Sequence, residues 1–241
     1  MAAEGPVTPI EETLLVALLL TICGGYLDAF TWIAHDRVLA NAQTANVVLF
    51  GVYAASGQWN DALRHLPPII AFVVGVLVTL RLRDRFGGQI RSISLVVEIA
   101  VLTVALLLHV HLPSIAGTLG ISFAAAMQTT SFAKVEGVAF SSVMTTGNLS
   151  RFSEALHART QGDRSRRTAR QIVVFGSVAA CFGFGAGVGA VATGALGNAG
   201  LVIPIALLVS VLAICSFKGS KHIRSRRRVI VANSKAPTNE A

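Results

Sequence analysis

Apolar runs close to the length of a membrane span recur along this chain, and that recurrence limits the fold more than any motif does. They extend from Leu14 to Trp32, Ile69 to Leu80, Ile93 to Val110, Ile121 to Phe132, Ile172 to Ala192 and Leu201 to Phe217. A bilayer crossing needs about 20 mainly apolar residues, so the shorter runs reach full length only with their small or apolar flanks. Composition agrees: at 53% hydrophobic, 13% charged and a mean hydropathy of +0.66, the chain has too little polar surface to coat a soluble domain. The expectation is an all-α, polytopic transmembrane bundle, with lipid as part of its solvent.

Charge placement suggests an orientation. Three basic clusters stand out: RLRDRFGGQIR at 81–91, the stretch from Arg151 to Arg170, and the tail KGSKHIRSRRR at 218–228. The positive-inside rule puts all three in the cytoplasm. Positions on one side must be joined by an even number of crossings, yet three candidates lie between 91 and 151. The third, VAFSSVMTTGNLSRF at 138–152, is short and rich in Ser, Thr and Asn, and reads as re-entrant or half-spanning. Its counterpart is VLANAQTANVVLFGVYAASG at 38–57, polar at its start and apolar after. Six full spans with both termini inside follow if both segments are re-entrant. Eight spans would place the loop at 81–91 outside.

The segment 1–13 carries Glu4, Glu11 and Glu12 without Lys or Arg, the wrong start for a signal peptide, and is expected in the cytoplasm. Residues 14–217 form one transmembrane domain, and 218–241 a basic tail expected to be disordered and to touch anionic headgroups. Cys23, Cys181 and Cys215 are scattered through apolar runs at no ligand or disulfide spacing.

The two polar segments hint at a duplication. Asn46 and Asn148 are 102 positions apart, and the same offset sets Phe30 on Phe132 and Ile70 on Ile172. Repeats of about 14–110 and 113–217, each with three crossings and one interrupted element, would be inverted relative to each other. Such repeats point to a transporter or channel with its site near the membrane midplane.

GGYLDAFTWI followed by QTANVVLFG, and AAAMQTTSF followed by TTGNLSRF, give the chain a resemblance to the YoaK-like bacterial membrane proteins, a family without assigned function. The resemblance covers roughly residues 14–217 and implies a fold but no chemistry. Its tripeptide is Thr-Gly-Asn in both polar segments; here Ala45 replaces the first glycine.

Candidate pathway residues are Asp28, Thr44, Asn46, Gln128, Thr130, Thr146 and Asn148. Asp28 is an ionisable group inside a span, which is costly and faces a cavity, a partner or a conduction path; a hydrogen bond to local backbone or to Thr31 is the plainer alternative. Asn46 and Asn148 would set amides and half-helix starts at one depth from opposite sides, or simply cap their segments. The offset places Gln128, Thr129 and Thr130 opposite Tyr26, Leu27 and Asp28. Glu98, two turns from the basic loop, is expected to pair with Arg91. Gly183, Gly185 and Gly189 flatten one helix face for close packing.

His109 and His111 lack a third ligand, so no metal or cofactor is expected, and no catalytic spacing nominates an enzyme. Nucleic acid is excluded as a partner by the absence of any folded module around the basic residues. The expected partners are the bilayer, a small solute or ion, and a second copy docked through the Gly-rich helix. Transporter or channel in a bacterial inner membrane is the first reading, and a non-transporting scaffold or regulatory partner the second.

Overall fold

A computed structural model describes residues 10–111 and 113–216. The basic tail from 218, and most of the amino-terminal segment, lie outside the described residues. The fold is helical: α1 (Leu14–Ala34), α2 (Gln43–Ala55), α3 (Trp59–Leu63), α4 (Leu66–Phe86), α5 (Ile90–Leu108), α6 (Ser114–Ser131), α7 (Thr145–Thr160), α8 (Arg166–Leu196) and α9 (202–216). A two-residue antiparallel pair, β1 (Lys134–Val135) with β2 (Val138–Ala139), is the one exception among the described residues. Three helical stretches are long and apolar enough to cross a membrane: Leu14–Ala34, Trp59–Leu108 and Arg166–Ser216.

The second and third stretches each bend at a glycine. Gly87 and Gly197 hold φ 55° and 56°, the left-handed region that a Cβ disfavours, and each caps its helix through a bond to the carbonyl four residues back. At Gly87 the chain reverses. Arg83, near the end of α4, donates to the Thr130 carbonyl (2.6 Å), and Arg91, at the start of α5, donates to that of Ser131 (3.4 Å), so both helices meet the last turn of α6. The far end of α5 lies with the start of α6, where Ala105, His109, Ser114 and Gly117 share a cavity with His35 and Asn198.

The core is built by crossing partners from the two halves: α1 lies against α8, and α4 against α6. Glycine makes the first contact close. A Cβ at Gly25 would stand 2.1 Å from the Phe182 carbonyl oxygen, one at Gly185 2.2 Å from that of Ile22, and one at Gly189 2.6 Å from that of Tyr26. Backbone approaching backbone replaces the hydrophobic drive that lipid cannot supply. Gly75 repeats the device between α4 and α6, 2.6 Å from the Phe123 carbonyl oxygen. Gly183 departs from expectation: a Cβ there would meet nothing within 4 Å, because it lies on the other side of α8 from Gly185 and Gly189. Around these contacts pack Tyr26, Phe30, Leu95, Leu102 and Leu208, all buried, and the Tyr26 hydroxyl donates to the Gly200 carbonyl at 2.6 Å.

Large apolar side chains face outward, with Val47, Val52, Ile70, Val104, Phe184 and Val191 all more than half exposed or close to it. Such exposure suits lipid and would be an aggregation hazard in water.

Candidate functional site

Gly24 is the middle residue of α1, about 15 Å from either end at 1.5 Å per residue. Two polar segments reach it. From one end, residues 36–42 descend until the Asn41 side chain donates to the Gly24 carbonyl (2.9 Å). From the other, the chain after the β1–β2 pair brings the Ser142 carbonyl to 3.0 Å from where a Gly24 Cβ would be. There α2 and α7 begin, so both present helix starts, with their free N–H groups, to the centre of the bundle.

The first segment is held by side chains of α1. Asp28 accepts the Asn41 backbone N–H (2.8 Å), and Thr31 Oγ1 accepts that of Ala40 (3.1 Å). Asn46 clasps Leu39 from both sides: its Oδ1 accepts the Leu39 N–H (3.3 Å), and its Nδ2 donates to the Leu39 carbonyl (2.6 Å). Asn148 makes the matching bond, Nδ2 to the Ser141 carbonyl at 2.7 Å, again seven residues back. Polar side chains near a helix start thus satisfy the backbone of the irregular segment before it, which a membrane interior demands.

A second buried chain of polar groups crosses from α5 to the centre. Gln128 Nε2 donates to Glu98 Oε2 (2.8 Å), and Gln128 Oε1 accepts the Ser142 hydroxyl (3.1 Å). The expected Glu98–Arg91 pair does not form. Arg91 turns instead to Glu12 (3.0 Å) and Glu11 (3.7 Å), which cap the same end of the bundle, while Glu98 is 2% exposed.

The sequence candidates therefore separate. Asp28, Asn46, Gln128 and Asn148 are buried around the centre, whereas Thr44 and Thr146 are exposed, and Thr130 is half-buried with its carbonyl on Arg83. Sequence reasoning missed Asn41, Ser142 and His65. His65 lies against Asn46 Oδ1 (Nδ1 at 3.3 Å) and stacks on Tyr53 (5.7 Å). Asn41 and Ser142 carry a signal in retrospect, each being a small polar residue just before a helix start inside an apolar context. Asn41 Oδ1 and Asn148 Oδ1 are buried and find no partner among the described residues, as do Thr129 Oγ1 and Thr145 Oγ1.

Cavities open at the two ends of the bundle. One of about 350 Å³ is lined by Asp36, Arg37, Tyr53, Gln58, Asp61, Arg64 and His65, with the buried Asn46 behind His65. Another of about 330 Å³ lies at the opposite end, between the β1–β2 turn and the start of α8. No group of three His, Cys, Asp or Glu side chains that could hold a metal occurs among the described residues.

The turn at that second cavity is latched by Glu136, whose carboxylate takes a two-pronged bond from Arg170 and whose N–H donates to the Glu12 carbonyl. The Arg170 guanidinium holds the Glu136 carboxyl below the usual glutamate range. A lowered folded-state value adds stability above the unfolded value and forfeits it as pH falls through the folded one. Glu136→Gln is therefore expected to lower stability at pH 7 by less than about 1 kcal/mol, since Arg170 is half exposed. The difference should shrink as pH falls below the ordinary glutamate value and be gone once pH is below the lowered folded-state value. Thermal unfolding of both proteins across pH measures this, and a deficit that persisted in acid would mean that the ion pair is not its source.

The chain belongs to a family whose model matches residues 16–214 and is described only as a protein of unknown function (DUF1275). No curated protein and no solved structure matches it. Apolar helices of this length are compatible with a membrane protein, and the family attaches no activity to them.

Proposed function

We propose that this chain is a six-span inner-membrane protein of inverted-repeat design that moves a small solute or ion. The observation that carries the reading is the meeting of the two irregular segments at Gly24, half-way along α1, with a helix starting from each and pointing away toward opposite ends. Helices broken at matching places in two halves, with their amino-terminal ends turned to the midplane, are how many secondary transporters build a solute site. The unpartnered Asn41 Oδ1 and Asn148 Oδ1 supply acceptors there.

Support for the duplication comes from repeated local detail: the Asn46 and Asn148 clasps, and the same kind of glycine corner at Gly87 and Gly197. In the reading, α1, α5 and α8 run outward, α4, α6 and α9 return, and the end bearing Arg83, Arg91 and Arg170 faces the cytoplasm. The finer likeness to the YoaK-like proteins belongs to the same proposal. The closed centre is then one state of an alternating cycle, with the 350 Å³ cavity as the outer vestibule.

One observation favours the scaffold alternative. Asp28 and Asn46 spend their hydrogen bonds on backbone of the chain itself, as structural polar residues do.

Single cysteines in a Cys-free background separate the two. In sealed vesicles, small water-soluble thiol reagents are expected to reach position 46 from outside and positions 142 and 148 from the cytoplasmic side, with Ser56 and Arg164 marking the two faces. Inert central positions with correctly labelled loops would leave the topology standing and sink the pathway.

A further inference from the structure

The cavity at the basic end has two kinds of wall. Its floor is apolar, formed by Val135, Val138, Val174 and Phe175, the last two buried in a cluster with Ala17, Phe140 and Val178. Its rim is basic. Arg170 is shared with Glu136, whereas Arg167 has no hydrogen bond or ion pair among the described residues. Arg151 lies outside the cavity lining, with its guanidinium 5.7 Å over the ring of Phe175. The volume of about 330 Å³ is small for a drug-sized molecule and suits a headgroup with a short length of chain. A guanidinium rim over an apolar floor, at the end of an apolar bundle, matches a ligand that is anionic at one end and hydrocarbon at the other.

We propose that this cavity seats the headgroup of an anionic phospholipid, its phosphate on Arg167 and Arg170 and its first methylenes on the valine floor. Glu136 is the internal competitor: it occupies Arg170 when no lipid is bound. Lipid phosphate taking over Arg170 releases the carboxylate, and with it the bond that latches the β1–β2 turn to α8. The site thus couples leaflet composition to the position of the segment that leads to Ser142. The inference needs only the basic end to lie at a leaflet and is independent of transport.

The test uses the full chain, reconstituted in bilayers of phosphatidylcholine with a minor fraction of phosphatidylglycerol, then extracted mildly for native mass spectrometry. Wild-type protein is expected to retain phosphatidylglycerol selectively. Arg167→Gln should cut that retention about fivefold, and Glu136→Gln should raise it by a similar factor, taking the usual strength of one cation at a membrane surface. Glu154→Gln makes the same change in net charge at an exposed position of α7 and should do nothing. Val138→Phe fills the floor and should also lower retention, which keeps the test open if Arg167→Gln expresses poorly. Equal retention of the neutral lipid, equal effects of Glu136→Gln and Glu154→Gln, or full competition by inorganic phosphate alone would each overturn the assignment.

Discussion

Gly185→Leu is expected to abolish recovery of folded, monodisperse protein, one of the largest effects of any single substitution in this chain. The α1–α8 contact leaves no room: even a methyl group at Gly185 would stand 2.2 Å from the Ile22 carbonyl oxygen, and the neighbouring atoms are backbone, which cannot swing aside as a side chain can. Overpacking of a well-filled interior costs about 1–3 kcal/mol and more when no rotamer relieves it. Gly25 and Gly189 lie on the same seam, so moving one helix outward to admit a leucine would unzip contacts along both. Gly183→Ala and Gly187→Ala are the controls, since neither Cβ meets an atom within 4 Å, and alanine suits a helix interior better by up to about 1 kcal/mol. Size-exclusion profiles and thermal midpoints in detergent compare the set. A well-folded Gly185→Leu protein would mean that α1 and α8 do not approach this closely.

Asp28→Ala ranks second. Its carboxylate accepts the N–H of Asn41 at 2.8 Å. Stripping that buried donor of its acceptor costs about 1–3 kcal/mol. The irregular segment 36–42 should come away from α1 before the helices themselves separate. Asp28→Asn keeps one carbonyl oxygen and should retain most of the stability. Limited proteolysis in the 36–42 segment, alongside the thermal midpoint, reads the two variants. If both keep wild-type stability and protection, Asp28 does not anchor the loop, and its burial needs another explanation.

The helical class was legible because apolar periodicity and span length are local properties. So was the presence of two interrupted segments, since Thr, Asn and Ser inside an apolar run cannot be ignored by the backbone around them. What those residues do was not legible. Asp28 could equally have faced a pathway; only the fold shows that residue 41, thirteen positions on, returns to it. Glu98 offered a nearby cation in Arg91, and a sequence has no way to show that Glu11 and Glu12, far along the chain, claim that cation first. The amide that Glu98 does meet, Gln128, sits on another helix thirty residues away.

Gly183, Gly185 and Gly189 likewise look equivalent in a glycine-rich run. Their separation into packed and open faces depends on where α1 lies. The 102-residue offset aligns the Asn clasps but not the glycine corners at 87 and 197, because α7 and α8 are longer than α2 and α4. A single offset could not have exposed the full correspondence.

The crossed partnership of α1 with α8 carries a consequence for biogenesis. The Tyr26 hydroxyl and the Gly200 carbonyl that accepts its hydrogen bond are 174 residues apart. Ribosomes add roughly 5–20 residues per second, so α1 emerges on the order of ten seconds or more before its principal neighbour is made. During that interval its glycine notch, with Asp28 and Thr31 beside it, has no helix to fill it and must be sheltered by the insertion machinery or by lipid. Slowing synthesis between α6 and α8 would lengthen the exposure, making the tempo of translation a determinant of yield for this chain.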